Sequence, residues 1–153
     1  MVTSIESVRM AGRTAAGGVD GLALVRLLQL SSAASPVGSF ALSEALEYAV
    51  HQGAVHDEAS ARDWIGGLLR HSTCALDVPM LLDMHVAWNE GRIDAALGAS
   101  AWLLACRESA ELRSGDRRQG QALLHILHGA GLVASRTLFS DDRVGYACAF
   151  ALA

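Results

Sequence analysis

A proline, a glycine and a phenylalanine set the first hard constraint on this chain. They stand in Ser35-Pro36-Val37-Gly38-Ser39-Phe40, between a leucine-rich run, Leu24 to Leu30, and a second apolar run ending at Val50. Proline locks φ and turns Ser35 away from helix. Gly38 permits backbone geometry that other residues adopt only at a cost, and Ser39 can then cap a new helix by accepting a bond from a free N–H. The segment predicts an elbow that aims two apolar helices at each other. Pro36, Gly38 and Phe40 are thus read first as fold-setting residues.

Helical spacing recurs beyond the elbow, and strand-like alternation is almost absent. Asp20 predicts a cap for a helix from Gly21 to Ser31, whose apolar positions nearly encircle it and predict deep packing. A second helix is expected from Phe40 to His51. A third starts at Asp57 and carries Ala61, Trp64, Ile65, Leu68 and Leu69. Gly66 and Gly67 cost it about 1 kcal/mol each against alanine, which points to a close helix crossing or, second, a kink. Asp77-Val78-Pro79 predicts the start of a separate fourth helix, with proline in the first turn, ending at Gly91. A fifth begins after Asp94 and is expected to run on through Arg113. A sixth spans Arg117 to His128. Tyr146 to Ala153 reads as an apolar helix that stops abruptly with its packing face in need of a partner.

This pattern predicts an all-α fold: a single helical bundle of about seven helices, the last incomplete, over residues 20–153, with residues 1–19 as a mobile leader. The abrupt ending reads as a truncation. The 153 residues suffice for one domain that buries about 70% of its unfolded surface. Apolar residues make up 52% and aromatics 5%, so Leu, Ala and Val must build the core, as closely packed helices allow. A net charge of −4 without a basic stripe argues against nucleic acid. No apolar run approaches a membrane span. Three widely spaced cysteines, Cys74, Cys106 and Cys148, form no framework and point to a reducing, cytoplasmic setting.

Candidate chemistry is sparse. His71 and Cys74, and His125 and His128, are three apart and share helix faces, but neither pair has a third or fourth ligand nearby. They read chiefly as ordinary histidines, with transient nickel contact as the rival reading. Met80, Met84 and Trp88 read as core. Cys106 has no activating base beside it in sequence. No phosphate loop occurs, no catalytic residue or metal site is assigned, and no cofactor is expected. The densest charge cluster is Arg107, Glu108, Glu111, Arg113, Asp116, Arg117 and Arg118. On one continuous helix, Arg107 and Glu111 would be surface neighbours four apart. The cluster is either a solvated face or a contact surface, and Glu44, Glu47 and Tyr48 invite the same choice.

Two separated stretches resemble the urease accessory protein F (UreF-type) family. One is Leu27-Leu28-Gln29-Leu30 followed by Pro36-Val37-Gly38, Phe40, Ser43, Leu46 and Glu47. The other is Arg107-Glu108, Glu111-Leu112-Arg113, Asp116 and Gly120. The chain departs from the pattern at Ala34, Leu42 and Ala45, the last standing where glycine is common. The resemblance implies a non-catalytic accessory protein of urease maturation. It implies recruitment of a nickel-carrying, urease-associated GTPase (UreG-type) and a UreH/UreD-type partner, delivery to urease apoprotein, and a homodimer. Glu44, Glu47, Tyr48, Arg107, Glu108, Glu111, Arg113 and Asp116 become candidates for partner contact, and Gly120 joins the fold-setting residues. A generic helical dimerisation module is the alternative, and a helical metalloenzyme a further one that lacks the Glu-x-x-His pairs of a di-iron bundle.

Overall fold

The computed structural model describes residues 20–32, 37, 45–131 and 136–153. Pro36, Gly38, Phe40, Glu44 and residues 1–19, where a leader is expected, lie outside them. The chain divides into two compact units, through Ser32 and from Ala33. Among the described residues there are seven α-helices, a π-helix, a 3-10 helix and no strand.

The first unit holds α1, Gly21–Leu30, whose Leu22 N–H donates to the Asp20 carboxylate at 3.1 Å. Leu30 is buried, but Leu22, Leu24, Val25, Leu27 and Leu28 are exposed, contrary to the deep packing that the sequence predicts. An apolar pattern that encircles a helix can be covered only by partners on several sides.

The second unit opens with α2, Leu46–His51, described from Ala45 onward. Ala45 has φ +66°, the left-handed region where a Cβ crowds the following carbonyl. Next comes α3, Glu58–Leu68, with its expected cap: the Ser60 N–H donates to Asp57 at 2.8 Å. Hydrogen bonding from Ser60 holds the Asp57 carboxyl below its ordinary range.

The predicted break before Pro79 is absent. A π-helix, Leu69–Asp77, carries α3 directly into α4, Val78–Asn89. The Val78 N–H bonds the Thr73 carbonyl five residues back. In an α-helix, proline's ring presses on the carbonyl four residues earlier and its donor is missing. The wider turn before Pro79 lets the helix run on. Nor, among the described residues, does a second helix cross at Gly66 and Gly67. A Cβ on Gly67 meets nothing within 4 Å, and the close neighbour of Gly66 is Arg70, whose Nε donates to the Gly66 carbonyl at 3.1 Å.

Gly91 ends the α4 turn at φ +73°, and α5 follows over Ile93–Ala105. The fifth helix does not continue through Arg113. It stops at Ala105, and Ser109 caps a new helix, α6, Ala110–Gly129, by accepting from the Leu112 N–H at 3.2 Å. After the 3-10 helix Arg136–Ser140 comes α7, Tyr146–Ala151.

The core is built around α7, which packs against α4, α5 and α6. Ala147, Cys148, Ala149 and Ala151 are buried with Met84, Leu97, Leu103, Leu104, Leu123, Leu124 and Leu127. The open apolar face expected for this segment is therefore filled within the unit. At its far end the His85 Nδ1–H donates to the Ala151 carbonyl at 2.8 Å, and Asn89 donates to His85 Nε2 at 3.0 Å.

Candidate functional site

The charge cluster of the second motif turns inward. Arg107 lies in the turn between α5 and α6, not on a helix with Glu111. Its Nη2 donates to Asp77 at 2.6 Å and its Nε to Asp116 at 2.8 Å. Burial works against its charge, but the bonds and charges of Asp77 and Asp116 outweigh that and raise its pKa. The other oxygen of Asp116 accepts the Tyr146 N–H at 2.6 Å, at the start of α7. Arg113 reaches back to donate to the Arg107 carbonyl at 2.8 Å. One guanidinium thus ties the end of the π-helix to α6, and one carboxylate ties α6 to α7.

Gly120 completes the junction. A Cβ there would lie 2.6 Å from the Gly145 carbonyl carbon and 2.7 Å from its oxygen, so α6 meets the start of α7 backbone to backbone. Beside it the Gly145 N–H donates to the buried Ser100 hydroxyl at 3.2 Å. Helix α7 is too short to hold its own position, so Asp116 and Ser100 occupy free N–H groups at its entry.

Chemically the arrangement is a brace. It has two carboxylates, two guanidinium groups and a hydroxyl, each with a protein partner. Glu108, Glu111 and Leu112 stay exposed on the braced turn and the first turn of α6. Glu111 is held below the ordinary carboxyl range by hydrogen bonds with its own backbone N–H and Ser109, with Arg113 adding a smaller share. Glu47 and Tyr48 are exposed on α2, Tyr48 at 66%. Val78, Leu82 and Val86 are exposed at four-residue steps along α4, an apolar i±4 ridge.

The remaining candidates are placed without forming a centre. His125 stacks on Phe139 at 4.5 Å between ring centroids, and His128 meets the edge of the same ring at 5.5 Å. Among the described residues no group of three or more His, Cys, Asp or Glu could hold a metal. His71 and Cys74 lie exposed on the π-helix. Met84 is fully buried and Met80 and Trp88 partly so. Cys106 is exposed, whereas Cys148 is buried, and burial pushes its thiol up to about 11. No helix among the described residues is long and apolar enough to cross a membrane.

Sequence reasoning missed Asp77 and Ser100 as members of the brace. Asp77 stands thirty residues before Arg107, and its local signal beside Pro79 points to a helix start. The buried Ser100, in the apolar run of α5, was the one polar residue there that needed a partner.

Comparison with known proteins finds relatives across most of the chain. The family model UreF matches residues 55–153. The chain is 39% identical over 133 residues to the urease accessory protein UreF of Alkalilimnicola ehrlichii, covering 87% of this chain and 58% of that protein. It is 38% identical over 132 residues to urease accessory protein UreF 2 of Brucella anthropi, with 86% and 58% covered. It is 40% identical over 134 residues to the UreF of Chromohalobacter salexigens, with 88% and 58% covered. The chain thus spans rather more than half the length of these curated relatives.

Proposed function

This chain belongs to the UreF family of urease accessory proteins, and from that premise we propose that it serves urease maturation as a non-catalytic scaffold. It recruits a nickel-carrying GTPase and a UreH/UreD-type partner and brings them to urease apoprotein in the cytoplasm. Nickel is the cargo of that assembly, inserted into urease as its destination. The working form is a homodimer.

The observation that carries this reading is the braced turn. Arg107 and Asp116 are spent on internal bonds, Arg113 is oriented by its bond to the Arg107 carbonyl, and Glu108 and Glu111 are left facing solvent on a base those bonds fix. A contact surface gains when its side chains start in place, because less ordering cost is met on binding. Acidic rim groups mainly set on-rate and partner choice. Glu47, Tyr48 and the Val78-Leu82-Val86 ridge supply further exposed aromatic and apolar area of the kind that anchors interfaces. Glu44 belongs with Glu47 as a candidate.

The test is a pull-down of the purified UreG-type GTPase by this chain, wild type against Glu108→Arg/Glu111→Arg. The wild type retains the GTPase, and the charge reversal weakens retention about tenfold while the helical circular dichroism is unchanged. Equal retention by both proteins would remove this surface from the proposal. No retention by either would remove the GTPase as a direct partner.

A further inference from the structure

An open cleft of about 380 Å³ lies between α5, α6 and the turn before α7, lined by Ala101, Leu104, Ala105, Arg113, Arg117, Asp142 and Arg143. Its charge is unevenly matched. Arg143 is answered by Asp141, to which it donates from Nε at 2.9 Å and from Nη2 at 2.6 Å. Arg117 Nε donates to the Asp142 backbone carbonyl at 2.7 Å, and Arg113 Nη1 to the Arg107 backbone carbonyl at 2.8 Å. Both carbonyls are neutral. Two guanidinium groups are therefore oriented by backbone acceptors with their charge left over. Asp142, exposed at the rim, is the one carboxylate of the lining, and Glu111 lies near Arg113 on the outer side.

We propose that this cleft receives a carboxylate side chain from an acidic segment of a partner protein. Guanidinium groups fixed at one edge keep their remaining N–H donors for a planar, two-oxygen acceptor, which a carboxylate matches. The α5 part of the lining is Ala101, Leu104 and Ala105, apolar surface that accepts an apolar residue next to the acid. The space is also several times that of a single small oxyanion. The fitting segment is an acidic residue beside a small or branched apolar one. This inference stands on the geometry of the cleft alone, and it survives or fails independently of the urease reading.

The test uses the whole 153-residue chain and a fluorescent peptide with a Glu-Leu-Glu core, read by anisotropy, with a Gln-Leu-Gln peptide as its uncharged counterpart. The Glu peptide binds, and the Gln peptide binds about tenfold or more weakly. Arg117→Gln weakens the Glu peptide about fivefold, while Asp142→Asn, which removes the one opposing carboxylate and keeps the backbone carbonyl, tightens it about threefold. Inorganic phosphate displaces the peptide no better than chloride at equal ionic strength. Equal binding of the two peptides overturns the proposal, as does phosphate displacing the peptide at matched ionic strength, which would make this a free-oxyanion site. Should Arg117→Gln lose its helical signal, Asp142→Asn decides alone: unchanged or weaker binding refutes the assignment.

Discussion

Two glycines in helices of the same unit should respond in opposite directions to the same substitution. At Gly120 the added methyl carbon would stand 2.6 Å and 2.7 Å from carbonyl atoms of Gly145. Those atoms are backbone, so relief requires α7 to move away from α6. Such a shift would stretch the Asp116 bond to the Tyr146 N–H and the Ser100 bond to the Gly145 N–H. Overpacking of this kind costs about 3 kcal/mol, against about 1 kcal/mol gained from alanine's better helix propensity. The net loss for Gly120→Ala is then about 2 kcal/mol. At Gly67 a Cβ meets nothing within 4 Å, so Gly67→Ala keeps the propensity gain of about 1 kcal/mol. For a chain this long, 1 kcal/mol moves Tm by about 2–4 °C. Thermal and urea unfolding followed by circular dichroism should show Gly120→Ala melting about 4–8 °C below the wild type and Gly67→Ala about 2–4 °C above it. A Gly120→Ala protein as stable as the wild type would refute the backbone-to-backbone junction. A fall for Gly67→Ala would refute the open space beside the end of α3.

The left-handed Ala45 sets the next expectation: Ala45→Gly should stabilise the chain by about 1 kcal/mol, because glycine takes φ +66° without the Cβ clash, and unchanged urea unfolding would contradict it. Cys148 gives a pH dependence whose sign follows from burial. Its folded-state pKa, about 11, is raised above the free thiol's, so the unfolded chain ionises first and stability falls as pH rises from about 9 to 11. Two units of difference correspond to about 3 kcal/mol, and Cys148→Ala should flatten that slope. The chain has no lysine, but burial also raises the Tyr146 hydroxyl, so part of the slope remains in Cys148→Ala; a slope as steep as the wild type's would refute the assignment.

What could be read in the sequence was mainly what short-range chemistry decides. The Asp57 cap answers Ser60 three residues on, and Gly91 ends a helix by its own φ, so both were visible locally. The break between α5 and α6 was not. Arg107, Glu108 and Ala110 favour helix, and no glycine or proline marks the turn. It is held by Arg107 reaching Asp77 and Asp116, and by the Ser109 cap that the charged run obscured. Pro79 misled in the other direction, since a five-residue bond at Val78 accommodates it within a continuing helix. The brace itself joins residues thirty apart twice over, Asp77 with Arg107 and Asp116 with Tyr146, and no spacing rule connects them. The motif letters were legible, but the direction in which the side chains face was set by packing around α7.

The scaffold account is tested most directly by amide hydrogen exchange on this chain, alone and mixed with the UreG-type GTPase and the UreH/UreD-type partner. The expected result is slowed exchange on α2 around Tyr48, on the turn and first helical turn at Glu108 to Leu112, or along Val78 to Val86, with the Tyr146 and Gly145 amides equally protected in both samples. An unchanged exchange map in the presence of both partners would contradict it.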